Sequence, residues 1–284
     1  MAHLPVTEPA PAKLNLDLYV EGRRADGYHL LDSVVAFTAF GDEVTLAPAE
    51  TFALTVDGPF AAALERAGES LVTRAVHALA DASNRPPAFA VRLTKRIPLA
   101  AGLGGGSADA AAALRALARL WGGETPTSTL VEIARALGAD VPACLARRPA
   151  RLAGIGDVLA PAPTVPPLEL VLVNPNQPAP TGAVYRALDP AGFAPAPARQ
   201  DDGAELPRWL RQGRNDLEPA ALEVAPAIGA VRARLAASGA DVVRLSGSGA
   251  TVFAVFAQPE AADAAAVALR GERPDWWVQR TRTP

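Results

Sequence analysis

From Arg96 to Asp109 the chain crowds Gly102, Gly104, Gly105 and Gly106 into five residues, then continues through Ser107 into a long Ala/Leu run. Glycines lack Cβ atoms, so their backbone N–H groups can approach an anion closely. A helix start adds unpaired N–H groups and a partial positive charge. Together these make a phosphate cradle. The residues before it, Phe89–Thr94, alternate as a strand, and Ala110–Leu120 are good helix formers, with Ser107 the expected cap. The order is therefore strand, glycine loop, helix. Two common nucleotide motifs do not fit. There is no G-x-x-x-x-G-K-[ST], and the third glycine of G-x-G-x-x-G would be Ser107. The competing reading of the loop by itself is a flexible turn followed by a helix cap.

The length, 284 residues, allows one large or two modest domains, and half of the residues are hydrophobic, enough for a sizeable core. A net charge of −3 argues against a general surface for nucleic acid or anionic membrane, while leaving room for a local basic pocket. No apolar run reaches membrane-spanning length, and the first residues carry no pattern of a secretion signal. Cys144 is the lone cysteine, so no intrachain disulfide is expected and a cytoplasmic location is. His3, His29 and His77 show no metal-ligand spacing.

Lysine usage is informative. Lys13 and Lys95 are the only lysines against 25 arginines. Where arginine serves as the generic cation, a retained lysine points to a need for its compact ammonium. Lys13 stands at the head of Leu14, Leu16, Leu18 and Val20, whose alternation predicts a half-buried strand. Lys13, Asn15 and Asp17 then share the other face, where Lys13 and Asn15 can reach one substrate; a solvated sheet face is the commoner outcome.

Glu21–Tyr28 reads as a loop, and Tyr28-His29 at its end can grip a flat ring or simply anchor the loop. Further strands are expected over 42–48, 52–56, 168–173, 242–245, 250–256 and 276–280. Helices are expected over 70–79, 127–137, 226–237 and 260–269. Pro142 suits the first turn of a short helix, which puts Asp140 just ahead of it. Thr181 can cap a helix that carries Tyr185, and 190–207 reads as a loop. Ser246-Gly247-Ser248-Gly249 between two strands reads first as a hairpin turn. The Pro-rich run from Ala160 suggests a boundary there, with domains over 1–160 and 161–284.

Taken together, these segments resemble the GHMP small-molecule kinases over nearly the whole chain. The carrying motifs are Pro98-Leu99-Ala100-Ala101-Gly102-Leu103-Gly104-Gly105-Gly106-Ser107-Ala108, Pro11-Ala12-Lys13-Leu14-Asn15-Leu16, Arg24-Ala25-Asp26-Gly27-Tyr28-His29, Gly138-Ala139-Asp140-Val141-Pro142 and Ser246-Gly247-Ser248-Gly249-Ala250-Thr251. The resemblance implies an α+β, two-domain GHMP kinase fold, with an N-terminal half like ribosomal protein S5 domain 2 and a ferredoxin-like C-terminal half. It implies ATP-dependent phosphorylation of the 2-hydroxyl of a diphosphocytidyl-methylerythritol, in the non-mevalonate route to isoprenoids. The alternatives are another kinase of the superfamily, acting on a mevalonate derivative, homoserine or a sugar, or a non-catalytic nucleotide-binding member.

By the same resemblance Lys13 and Asp140 are the expected catalytic pair, and the loop from Pro98 to Ala108 would hold the phosphates of ATP. Asn15, Tyr28, His29, Thr181 and Tyr185 would line the cytidyl pocket, with Tyr185 as a stacking ring. Mg²⁺ is expected with the nucleotide, with Ser107 as its contact. The expected partners are ATP and the cytidyl substrate, with no nucleic acid and no membrane, in a monomer or weak homodimer. Two positions depart from the family pattern. Ala108 stands where a second serine is usual, and Ser70-Leu71 where Asn-Leu is usual near the adenine pocket.

Overall fold

The computed structural model describes residues 4–68, 70–188 and 193–284; His3 and residues 190–192 of the expected loop lie outside these. Two compact units are built from interleaved segments. One comprises the chain up to Ala12, Gly41–Leu99 and Gly104–Arg148; the other comprises Lys13–Phe40, Ala100–Leu103 and Pro149–Pro284. Both mix helices and strands, the α+β class expected.

In the first unit, β5 (Phe89–Thr94) pairs antiparallel with residues 43–48 of β3 (His29–Pro48) and parallel with β4 (Ala53–Asp57). Three longer helices and a shorter one accompany α1 (Ala61–Ala67): α2 (Leu71–Ala82), α3 (Gly105–Leu120), α4 (Thr127–Leu137) and the shorter α5 (Val141–Ala146). The glycine-loop helix α3 is buried on nearly every side, from Ala108 to Leu120. Its alanines let α2 and α5 pack close, as an all-round apolar helix inside a domain should. The polar residues it does bury, among them Asp109, therefore need partners. Ser70 accepts a hydrogen bond from the N–H of Val72 at 3.2 Å and so caps α2.

The second unit carries β2 (Tyr19–Arg23), a hairpin of β6 (Ala150–Ala153) and β7 (Val158–Pro161), and a four-stranded antiparallel sheet. That sheet runs β11 (Trp277–Arg282), β8 (Glu169–Asn174), β10 (Val252–Phe256), β9 (Val242–Leu245). Its two central strands are the continuous apolar runs Leu170–Val173 and Val252–Phe256, buried on both faces. Ile228, Val231 and Leu235 of α9 (Ala227–Ala236) and Ala262, Ala266 and Leu269 of α10 (Pro259–Glu272) close one face over Val171, Val173, Val252 and Ala254. Each fully buried Val, Leu or Ile contributes about 1.5–3 kcal/mol. The remaining helices of this unit are α6 (Thr181–Ala187), α7 (Arg208–Gln212) and α8 (Glu218–Val224).

Three local expectations are corrected. First, β1 spans Val6–Asn15, starting well before Lys13 and running through Pro9 and Pro11, whose missing N–H groups confine them to strand positions that need no donor. Second, the face of Lys13, Asn15 and Asp17 is not solvated: all three are buried, as are Leu14 and Leu16. Third, Ser107 does not cap α3. Gly104, in the left-handed conformation with φ 62°, takes the cap position, and Ser107 lies inside the first turn. Glycine tolerates that backbone where serine would be strained.

Candidate active site

The first unit supplies a helix start for an anion. The N–H groups of Gly105, Gly106 and Ser107 precede the first intrahelical bond of α3, which Ala108 makes from its N–H to the carbonyl of Gly104 at 2.9 Å. Gly106 is exposed and Ser107 half-exposed, whereas Ala108 is buried with its N–H spent. Leu54, Val56, Leu64, Ser70 and Thr73 line a cavity of about 370 Å³ in the same unit.

Lys95 and Asp109 flank the glycine loop in sequence and meet in the interior. Lys95 Nζ is 2.7 Å from Asp109 Oδ2 and also bonds the carboxylate of Asp42. Asp42 Oδ1 accepts the N–H groups of Arg96 at 2.5 Å and Ile97 at 2.8 Å. Burial, with Asp42 close by, pushes the Asp109 carboxyl up to about 8 against the pull of Lys95. Burial opposes charge on Lys95, but the two carboxylates overcome it and hold the ammonium above its ordinary range. Gly105 is needed beside it: a Cβ there would sit 3.0 Å from Lys95 Nζ and 3.2 Å from Ile97 Cγ2.

Asp140 occupies the N-cap position of α5 in helical backbone geometry and makes no capping bond to its own helix.

The second unit holds Lys13 and the middle of the loop. The buried Lys13 donates its backbone N–H to Leu103 at 2.9 Å. Ser246 Oγ accepts the N–H of Asn15 at 3.2 Å and donates to the carbonyl of Gly102 at 2.9 Å. Thr251 donates its N–H to Ala101 at 3.1 Å. The Ser246–Gly249 turn does join β9 and β10 as a hairpin, but it also clamps residues 101–103 against β1. Gly102 has φ 74°, and a Cβ there would lie 2.2 Å from the carbonyl oxygen of Ser246. Gly102→Ala is expected to cost about 1–2 kcal/mol from backbone strain alone, with the clash on top. A urea melt reads this as a lowered midpoint; an unchanged midpoint would contradict the clamp.

Asn15 Nδ2 donates to Ser33 Oγ at 2.8 Å, and Ser33 passes the bond to the carbonyl of Asp17 at 2.5 Å. An aromatic group lies in the same unit. His29 stacks on Tyr185 with ring centroids 4.9 Å apart and 27° between planes, and Phe193 meets His29 edge-on at 5.7 Å. Burial, helped by the charge of Arg23, holds the imidazole below its usual range, so it is neutral at pH 7 and offers one donor and one acceptor. Thr181 Oγ1 shares a hydrogen bond with Ser248 Oγ at 2.9 Å, one helical turn before Tyr185. Tyr28 is 60% exposed, projecting from a tight turn closed by the Arg24 N–H on the Tyr28 carbonyl.

Phe193 is held by a strap that sequence reading took as plain loop. Ala194 donates its N–H to Val20 at 3.3 Å, and the guanidinium of Arg199 bonds Asp17 at 2.6 Å and Asp32 at 2.7 Å. Nothing periodic marks Phe193 in the sequence. Lys95 did carry a signal, as the other of two lysines.

Among the described residues no helix is long and apolar enough to cross a membrane, and no group of three His, Cys, Asp or Glu side chains is placed to hold a metal. A magnesium ion that travels with a nucleotide needs only one or two protein ligands, because phosphates and water complete its shell. The half-exposed Ser107 at the α3 start fits that donor set.

Residues 70–148 match the family described as GHMP kinases N terminal domain, and residues 197–274 that described as GHMP kinases C terminal. The 4-diphosphocytidyl-2-C-methyl-D-erythritol kinase of Paramagnetospirillum magneticum is 50% identical over 273 residues, 95% of each chain. The protein of the same name from Mesorhizobium japonicum is 46% identical over 96% of this chain and 94% of its own. A crystal structure of 4-(cytidine 5'-diphospho)-2C-methyl-D-erythritol kinase is similar at TM-score 0.81 and 36% identity, over 98% of this chain and 100% of that one. A homoserine kinase from Cytophaga hutchinsonii, at TM-score 0.71 and 16% identity over 99% and 94%, shares the fold.

Proposed function

The chain belongs to the GHMP kinase family, and we propose that it transfers the γ-phosphoryl group of ATP to the 2-hydroxyl of 4-diphosphocytidyl-2-C-methyl-D-erythritol. The observation that carries the choice of substrate is the neutral His29 stacked on Tyr185. A flat ring with both a donor and an acceptor on its edge suits a cytosine, which mevalonate, homoserine and sugars lack. The relatives at 46–50% identity bear the name of that activity.

Phosphoryl transfer is chiefly positioning and charge stabilisation. The N–H groups at the start of α3 and the loop from Pro98 would hold the triphosphate, with the adenine in the cavity beside Ser70. Ser107 would hold Mg²⁺, which when bound neutralises phosphate charge. Lys13 stabilises charge on the transferred group. Asp140 orients the acceptor hydroxyl and takes its proton. That hydroxyl sits on a tertiary carbon, a hindered and weakly acidic alcohol, so orientation contributes more than basicity and the proton leaves late. Asn15 and the ring group hold the cytidyl end, with Thr181 and Tyr28 at its margin.

Coupled ADP release tests the reading, run on the cytidyl substrate, mevalonate, phosphomevalonate, homoserine and galactose. Turnover of the cytidyl substrate alone is expected; preference for any other alcohol would overturn it. A pH series adds a second check. KM for the cytidyl substrate should rise as the pH falls, at a lower pH than an ordinary imidazole would set, because burial and the charge of Arg23 favour the neutral form of His29. A rise already complete at pH 6.5 would show that His29 does not read the base in its neutral form.

A further inference from the structure

Asp140 stands at the N-cap position of α5, a helix of six residues with no side-chain cap. So short a helix has little stability of its own and takes its position from what surrounds it. Within the first unit α3 and α4 pack against α5, and one side chain of α3 reaches its last turn. Arg115 is 12% exposed, and its guanidinium spends three N–H groups on two other elements. Nε donates to Glu8 Oε2 at 3.0 Å, Nη2 to the carbonyl of Pro9 at 2.8 Å, and Nη1 to the carbonyl of Cys144 at 2.9 Å. The Cys144 carbonyl belongs to the last turn of α5, where carbonyls lack helical partners and a cation is favoured. Cys144 in turn donates its N–H to the carbonyl of Asp140 at 3.1 Å. Glu8, buried in β1, also takes Arg119 at 2.5 Å and lies 3.3 Å from Arg147, the residue that ends α5.

We propose that Arg115 is a positioning residue for phosphoryl transfer, fixing Asp140 against the helix that begins at the glycine loop. The inference rests on Asp140 acting on the acceptor hydroxyl. Arg115 lies about 15 Å along α3 from Gly105 and touches no reacting atom. It sets the distance from the phosphate-binding helix start to the group that orients the nucleophile. A shift near 1 Å at such a group costs about a hundredfold in rate. Lysine at 115 keeps the charge but lacks the planar fork that serves three acceptors at once.

The test is steady-state kinetics of Arg115→Met and Arg115→Lys with the cytidyl substrate and ATP, each also combined with Asp140→Ala. Arg115→Met is expected to lower kcat about 10- to 100-fold with both KM values within about two-fold, and Arg115→Lys to fall between it and the parent. In the Asp140→Ala background either change should have almost no further effect, because the group it positions is already gone. Unchanged kcat in both single variants would overturn the proposal, as would the same loss in the Asp140→Ala background as in the parent. If Arg115→Met does not fold, Arg115→Lys and its double variant decide by the same criteria. Full turnover by Asp140→Asn alone would instead defeat the role given to Asp140, a separate failure.

Discussion

Asp140→Asn is expected to lower kcat by about 10²- to 10⁴-fold, with KM for ATP and for the cytidyl substrate little changed, the range found when a positioned base is removed. Asparagine keeps an oxygen that can accept a hydrogen bond from the hydroxyl, but it cannot take the proton. Asp140→Ala loses both. If orientation is the larger contribution, alanine should fall well below asparagine. The two variants, measured by ADP release at saturating substrates, thus divide the role of the carboxylate into its parts. Near-parental turnover of Asp140→Asn would remove Asp140 from the mechanism. Equal losses in the two variants would make proton acceptance the dominant part.

The second large effect concerns stability. Lys95→Met should cost about 3–5 kcal/mol, because it strands Asp42 and Asp109 together in the interior without their cation. Lys95 and Asp109 close the two ends of the glycine loop, so the loss should first loosen the start of α3. In urea melts the variant should unfold at a clearly lower midpoint, and adding Asp109→Asn should recover part of it by removing one of the stranded acids. A loss below 1 kcal/mol would mean that the group is open to water and that Lys95 is not its keystone.

Much of the fold was legible because its signals are local. The strand at 89–94 and the helix at 127–137 lie at the expected residues, where period and flanking Gly138 agree. The failures have a common cause. Lys13, Asn15 and Asp17 alternate with leucines as on a half-solvated strand, yet packing buries both faces; alternation marks two faces without saying what covers the second. The hairpin over 150–161 was hidden by Gly154 and Gly156, which mark its turn. At the site, the glycine loop and His29 could be singled out by residue type, and Tyr185 by the family resemblance. Ser246 holding Gly102, Phe193 against His29, and Arg115 reaching Cys144 join residues far apart in sequence. No local pattern encodes such pairs. Ala108, where the family pattern has a second serine, is buried with its N–H bonded to the carbonyl of Gly104.

The central claim is transfer of the γ-phosphoryl group to one particular hydroxyl, and ³¹P NMR of the product mixture reads it directly. The carbon that bears the 2-hydroxyl carries no hydrogen. Incubation with ATP, Mg²⁺ and the cytidyl substrate should therefore yield a new phosphomonoester resonance unsplit by carbon-bound protons, with the cytidine diphosphate resonances intact and ADP formed in equal amount. A monoester signal split by neighbouring protons, or ADP accompanied by inorganic phosphate alone, would contradict the account.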